Sequence, residues 1–271
     1  MSSDTIHHRE ASFHDEWAAS TDLKDVRVCE AFEAPTAMEN GWILRAMGSL
    51  TGKRLLDVGA GLGESSVYFA KQGAEVTTSD LSPGMVELAV KLGELHGVKL
   101  RGIVAAGEEL GVPENHFDFV YAANTLHHVT DKVKFFEQIR RALKPGGRFF
   151  TWDPLAYNPL INVYRRMATK VRTEDEAPLT FADVALARKY FTGVEHREFW
   201  ILTLILFCKY FLIDRIHPNQ KRYWKLIYEE TPRRLWWWHP LKGLDELLAR
   251  LPLVRRLAWN MVMTGQKPPI Q

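Results

Sequence analysis

The sequence predicts an α/β fold organised on a mostly parallel sheet. Three observations lead there. Short apolar runs alternate with helix-like stretches from Lys53 to Asp153, which is the pattern of a parallel sheet with crossover helices. The first run, Leu55-Leu56-Asp57-Val58, enters a turn with glycines at 59, 61 and 63. A sixth apolar run and a final one lie further on, after the alternation has stopped.

Taken in order, residues 1–50 lack a strong strand pattern and are expected to form an N-terminal helical cap. Helices are predicted at Glu10–Ala19 and Ala37–Gly48, with Pro35 as the break between them. The core is predicted over 51–203. Its strands are Arg54–Val58, Glu75–Thr78, Gly102–Ala105, Phe117–Ala122 and Gly147–Trp152, with helices at Glu64–Gln72, Pro83–Leu95 and Lys132–Leu143. Pro145-Gly146-Gly147 is read as the turn into the fifth strand. Residues 154–193 are mixed, and Val194–Thr203 is read as a sixth strand. Residues 204–256 form a helical, aromatic insertion before a last strand and tail, 257–271, with the strand itself at Leu257–Gly265.

Composition narrows the class. The chain has 271 residues, 46% apolar and 25% charged, too apolar for a disordered chain and long enough for one large domain or two small ones. The formal net charge is +2, without the basic excess usual in nucleic-acid binders. Two cysteines, Cys29 and Cys208, stand far apart and suit free thiols in a reducing compartment better than a disulfide scaffold or zinc site. The polar start and the lack of an apolar run long enough to span a bilayer make a cytoplasmic protein the expectation.

The glycine turn has a physical logic. Residues without a Cβ let the backbone approach a ligand closely. The helix that follows offers its N-terminal amides to polar ligand atoms, at the carboxyl ends of the strands. The spacing is Gly-x-Gly-x-Gly, and Asp80 lies past the second strand, placed for ribose hydroxyls. Asp57 precedes the glycines, where a carboxylate meets a cationic ligand.

Asp57-Val58-Gly59-Ala60-Gly61-Leu62-Gly63, Thr78-Ser79-Asp80-Leu81-Ser82-Pro83, Asn124-Thr125-Leu126-His127-His128 and Leu143-Lys144-Pro145-Gly146-Gly147 together resemble the class I S-adenosylmethionine-dependent methyltransferases, and most of all the UbiE-like, type 11 group. The resemblance covers about 50–153. It implies a Rossmann-like, seven-stranded sheet whose sixth and seventh strands form an antiparallel pair, and S-adenosyl-L-methionine as cofactor. Asp57 would then face the methionine amino group, and Gly59, Ala60, Gly61 and Gly63 would line its methionine and ribose side. Asp80 would hold the ribose diol, Leu81 pack on adenine, and Asn124 approach the methionine portion. Where the family pattern has an Asp for the adenine amine, this chain has Ala106. Gly107 and Glu108 are left to meet the ring.

Candidates for the chemistry follow the fourth and fifth strands. His127 and His128 are placed either as a base near the methyl group or as loop supports of the pocket, the second being favoured. Asp153, Tyr157 and Asn158 are the polar candidates on the acceptor side, and Arg165 and Arg172 are candidates for an anionic group on the acceptor. They would otherwise form a network with the acids at 174–176. His14 and Trp17 are expected on a lid helix over the mouth of the site. His7, His8 and His14 show no paired ligand geometry, so no metal is expected.

The region from Trp200 onward holds six of the nine tryptophans and 12 Lys and Arg against 5 Asp and Glu, a formal +7, leaving −5 for residues 1–199. Arg233-Arg234-Leu235-Trp236-Trp237-Trp238 suits an interface that is apolar on one side and wet on the other. Residues 200–256 are read as a peripheral membrane or lipid-facing lid, or equally as a helical cap whose tryptophans form its own core. A nucleic-acid surface is disfavoured. The expected activity is methyl transfer to a hydrophobic small molecule or lipid-like acceptor. The alternatives are a soluble natural-product O- or N-methyltransferase and a non-catalytic cofactor-binding regulator.

Overall fold

A computed structural model describes residues 3–173, 175–230 and 236–269. Along the chain the elements are α1 (Ser3–Ala19), α2 (Glu30–Glu33), α3 (Met38–Met47), β1 (Arg54–Val58), α4 (Glu64–Lys71), β2 (Glu75–Asp80), α5 (Pro83–Leu95), β3 (Leu100–Val104), β4 (Phe117–Ala123), α6 (Lys132–Ala142) and β5 (Leu143–Pro154). They continue with α7 (Pro159–Met167), α8 (Phe181–Ala187), β6 (Thr192–Phe199), α9 (Ile205–Cys208), α10 (Tyr223–Leu226), α11 (Trp238–Leu248) and β7 (Asn260–Gln266). The sequence features at Glu174 and at Arg233-Arg234 lie outside the described residues.

The strands form one sheet in the order β3-β2-β1-β4-β5-β7-β6. The first five are parallel, and β7 runs antiparallel to both β5 and β6. The order reverses between β1 and β4, so their carboxyl ends flank the crevice where open α/β sheets bind ligands. Leu55, Leu56, Val58, Val120 and Tyr121 are buried in the central strands. On one face α6 turns Phe135, Phe136, Ile139 and Ala142 inward, a helical spacing that makes one apolar stripe. Its start is fixed by Asp131, whose carboxylate accepts the Val133 and Lys134 amides. On the other face α4 and the α2–α3 segment pack Phe69, Phe32 and Ile43 against the sheet.

Several boundaries differ from expectation for identifiable reasons. Pro145-Gly146-Gly147 is an irregularity inside β5 rather than a turn before it. Leu143 already pairs with Phe117, and the register shifts before Arg148 pairs with Phe119. Helix α1 begins at Ser3, seven residues before the predicted start. Strand β6 ends at Phe199, short of Thr203. Trp200 takes a positive φ of 68°, and the amides of Ile201, Leu202 and Thr203 turn to the Asp245 carboxylate at 2.9, 2.6 and 3.1 Å. A buried carboxylate accepting three backbone donors ends a strand as firmly as a proline would.

The tryptophans of the insertion and its flanks mostly turn inward, Trp224 and Trp237 partly and Trp238 wholly. Trp200, Trp238 and Trp259 are buried, with Trp200 centred 5.2 Å from Trp238 and 5.5 Å from Trp259. Trp238 Nε1 donates to Pro35 O at 2.9 Å, tying the insertion to the N-terminal cap. Trp236 is 81% exposed. Apart from Trp236 and Phe211, the exposed apolar surface of the insertion is aliphatic, led by Leu212, Ile213 and Leu253. The buried rings fit the helical-cap reading, and exposed Trp236 does not.

Candidate active site

A cavity of about 250 Å³ opens at the carboxyl ends of β1 and β4. Its first half is the glycine turn. Gly59 has φ 65°, and a Cβ there would collide with the Thr125 side chain, whose hydroxyl lies 3.0 Å from both Val58 O and Ala123 O and shares its one hydrogen between them. Gly63 caps α4 in the left-handed conformation with Ala89 pressed against it. It supports the turn from behind and does not line the cavity, unlike Gly59, Ala60 and Gly61. Asp80 accepts the Gly61 and Ser82 amides, both at 2.9 Å, and so locks the turn to the start of α5. Asp57 accepts the Ser66 hydroxyl at 2.7 Å. Burial raises the Asp57 pKa to about 7 against that hydrogen bond, and the Asp80 charge adds to the rise.

Leu81, Ala106, Gly107, Glu108 and Asn124 also face this half. Glu108 does not point freely at a ligand. Its Oε1 accepts the Thr130 amide and hydroxyl at 2.9 and 3.0 Å and lies 3.5 Å from His7 Nε2. Gly107 must be small for packing as well, because a Cβ would meet the Phe135 ring at 2.8 Å.

The second half is aromatic and aliphatic, with Tyr121, Trp152, Ile161, Tyr164, Tyr228 and Trp259 on its walls. Asn40 anchors it. Its Oδ1 accepts Tyr121 OH at 2.6 Å and Trp152 Nε1 at 2.9 Å, while its Nδ2 donates to Ala31 O. Arg165 and Arg172 also reach the cavity, both held by Glu176. Burial and then the neighbouring Arg172 lower Arg165 to about 10. Lys225 lines the opposite wall in an ion pair with Glu64, and burial lowers it to about 8.

Helix α1 lies across the mouth. Its Asp15 carboxylate accepts Ser82 Oγ at 2.5 Å and the Gly84 amide at 2.9 Å, seating the helix on the start of α5. Trp17 and His14 line the cavity, and the Arg222 guanidinium sits 3.9 Å over the Trp17 ring. Glu10 reaches across to His128 Nδ1 at 3.1 Å and to Thr173. Burial pulls the Glu10 carboxyl upward, but His128, His14 and Thr173 outweigh it and hold it well below the usual range. Burial likewise pulls His128 down, and Glu10 reverses this so that its pKa is raised.

His127 is arranged differently. Its Nδ1 lies 2.8 Å from Asp153 Oδ1, which also accepts the His127 amide at 3.1 Å. Its Nε2 faces Glu176 at 4.0 Å. Burial, and then the charge of His128, push His127 well below its usual pKa, while burial raises Asp153 to about 8. Near neutral pH the pair carries no net charge and shares one proton between Oδ1 and Nδ1.

Some predicted residues are placed elsewhere. Tyr157 is half-exposed, stacks on Phe181 with centroids 5.7 Å apart, and accepts the Phe181 amide. Asn158 caps α7 through the Ile161 amide and donates to Leu257 O. Neither lines the cavity, because the chain leaving β5 turns directly into α7. Both are corrected as acceptor-site candidates. Asp153 is fully buried and acts behind His127 rather than in the cavity. The histidines also depart from expectation. His14 approaches Glu10 and His128 with ligand atoms within 4.8 Å of one another, and His127, His128 and Glu176 do likewise. Sequence reading missed Glu10 and Lys225, whereas Glu176 belongs to the acids at 174–176 that it offered as partners of Arg165 and Arg172. Of the two missed, only Glu10 carried a signal, its four-residue spacing from His14 on one helix face.

Asp57 and Asp80 share the cavity with no cationic side chain bonded to either among the described residues. A ligand with an ammonium, a sulfonium and a ribose diol fits such a pair. Residues 56–151 match the family model described as a methyltransferase domain. The chain is 36% identical over 121 residues to the ubiquinone/menaquinone biosynthesis C-methyltransferase UbiE of Psychromonas ingrahamii, covering 42% of this chain and 48% of that one. It is 38% identical over 120 residues to the ubiquinone biosynthesis O-methyltransferase of Bordetella bronchiseptica, covering 44% and 49%. The chain therefore spans about half the length of the curated relatives it matches. Phosphoethanolamine N-methyltransferase 2 of Haemonchus contortus, solved with phosphomonomethylethanolamine and S-adenosylhomocysteine, superposes with a TM-score of 0.56 at 21% identity, over 86% of this chain and 53% of that one. Residues 56–151 therefore match a methyltransferase domain, on a fold shared with a methyltransferase solved with S-adenosylhomocysteine.

Proposed function

We propose that this protein transfers the methyl group of S-adenosylmethionine to a hydrophobic small molecule or lipid-like acceptor. The observation that carries this is the single cavity joining the glycine turn and Asp80 to a wall of buried aromatic side chains. S-adenosylmethionine supplies a methyl group on a sulfonium, open to in-line displacement. Asp57 is placed to face its amino group and Asp80 its ribose diol, with Gly59, Ala60 and Gly61 against its backbone-like portion. Leu81, Gly107 and Glu108 border the adenine end, where Ala106 contributes no hydrogen bond, a loss of about 1 kcal/mol.

The aromatic half aligns the acceptor, and alignment alone contributes several kcal/mol to such a displacement. His127 is the base for an acceptor proton, with Asp153 fixing its ring. His128 holds the lid through Glu10. Arg165 and Arg172 orient a polar or anionic end of the acceptor beside Glu176, and His14 and Trp17 close over it. Relatives named for ubiquinone and menaquinone biosynthesis support a quinone-like acceptor. Exposed Phe211, Leu212 and Ile213, within the +7 segment, support a peripheral membrane contact through 200–256. Among the described residues no helix is long and apolar enough to cross a membrane.

The test is turnover with methyl-labelled cofactor over separated membrane and soluble extracts. Label entering an organic-soluble product, with a mass gain of one methylene, is the expected result. Label confined to water-soluble products would favour the soluble natural-product alternative. Cofactor binding without turnover on either fraction would favour a regulator.

A further inference from the structure

A second cavity, of about 240 Å³, lies between α8, β6 and the 252–256 segment and shares no lining residue with the first. Arg188, Arg255 and Arg256 converge on it, with Val184, Phe181 and Leu253 on its apolar side. We propose that this cavity binds a phosphate-bearing ligand, on grounds independent of the methyl-transfer reading.

None of the three arginines has a carboxylate at ion-pair distance among the described residues. The nearby acids are already engaged. Glu198 holds His196 at 2.6 Å, and Asp183 holds Lys132 at 2.9 Å. The Arg255 Nε is buried without a hydrogen-bond partner, a costly state for a charged donor. Arg255 lies over the Phe181 ring at 5.0 Å, and Arg256 lies over Tyr157 at 5.6 Å. Rings under the guanidinium faces leave their edges free, and edge-on donation to an oxyanion is the geometry in which arginine binds phosphate. Arg188 and Arg256 stand at the exposed rim of the hollow with Arg255 deeper, so three positive charges line it with no carboxylate opposite them among the described residues. Tyr157, absent from both cavity linings, serves here as the ring under the Arg256 guanidinium.

Two sources present the same chemistry. The phosphate is either soluble or the headgroup of a lipid whose chains lie along Leu253, 78% exposed, and Leu257, 45% exposed. The full chain is titrated with inorganic phosphate at constant ionic strength, followed by thermal melting, and is sedimented with phosphatidylglycerol or phosphatidylcholine vesicles. The comparison is Arg255→Gln/Arg256→Gln against Arg45→Gln/Lys99→Gln, which removes equal charge elsewhere. Binding by the wild type, weakened about tenfold or more in the first pair and unchanged in the second, is expected. Response to inorganic phosphate identifies a soluble ligand, and response to phosphatidylglycerol alone identifies a headgroup. A wild type that binds neither probe, or equal losses in both pairs, overturns the proposal. Cofactor calorimetry on each variant reports the integrity of the fold. Should the arginine pair fail it, Arg188→Gln on the exposed rim serves with the same expected and overturning results.

Discussion

Asp153 and His127 show how one buried contact sets a chemical role. Asp153 Oδ1 accepts the His127 backbone amide and shares a proton with Nδ1 of the same residue, which holds the ring with Nε2 toward Glu176 on the cavity wall at 4.0 Å. With Asp153 raised to about 8, the pair still holds its shared proton at neutral pH, and Nε2 becomes a free base only once that proton is lost. Turnover is therefore expected to rise with pH through about 8 and to lose this limb in His127→Gln. A flat profile in the wild type would remove His127 as the base. Gly59 makes a separate prediction. Gly59→Ala strains a positive φ and drives a methyl group into Thr125, at a cost of roughly 1–3 kcal/mol. Thermal melting is expected to fall by several degrees and to recover partly when Thr125 is also changed to Ala. Such residues were legible because glycines and acids in a turn have few other uses. Tyr157 and Asn158 were misplaced because polarity after a strand does not reveal which way the chain then turns. Here it enters a helix that consumes the Asn158 side chain as its cap.

Among the elements, α1 acts as a latch. It is joined to the core through Asp15 on Ser82 and Gly84, and through Glu10 on His128. The Glu10 carboxyl is depressed in the fold, so its contribution is present above the ordinary carboxylate pKa and is lost on acidification. The His128 pKa is raised, so its contribution is complete below the ordinary imidazole value and is lost as pH rises through the raised one. The latch is strongest in the window between roughly pH 4.5 and 6.5. Hydrogen exchange of α1 amides, corrected for intrinsic rates, is expected to show greatest protection there and a fall on the alkaline side. His128→Gln should flatten that fall, and equal protection from pH 5 to 9 would deny the latch. The sequence showed a lid helix at this place but not its fastening. Glu10 and His128 are 118 residues apart, and helical periodicity says nothing about what stands across a gap. Strand β6 taught the same lesson, since the carboxylate that ends it, Asp245, comes from α11.

At the scale of the whole molecule, the alternation from β1 to β5 made the sheet readable, because each parallel strand needs a crossover helix and both patterns are local. The insertion was less readable. Its tryptophans suggested a wet interface, yet Trp200, Trp238 and Trp259 form the joint between cap, insertion and sheet. Truncating Trp238 to Ala is expected to destabilise the fold by about 3–5 kcal/mol, measured by denaturant unfolding, whereas the same change at exposed Trp236 should shift it little. Equal effects would place both rings alike and contradict the packing. The charge division, −5 before Trp200 and +7 from it onward, sets an acidic portion that carries the cavity carboxylates Asp57 and Asp80 against a basic carboxyl-terminal portion. The most direct test of that division is calorimetric titration of the full chain with S-adenosylmethionine. The expected result is saturable binding in the wild type, about tenfold weaker or worse in Asp80→Ala and unchanged in Arg255→Gln/Arg256→Gln. No binding heat in the wild type, or equal affinity in Asp80→Ala, would contradict it.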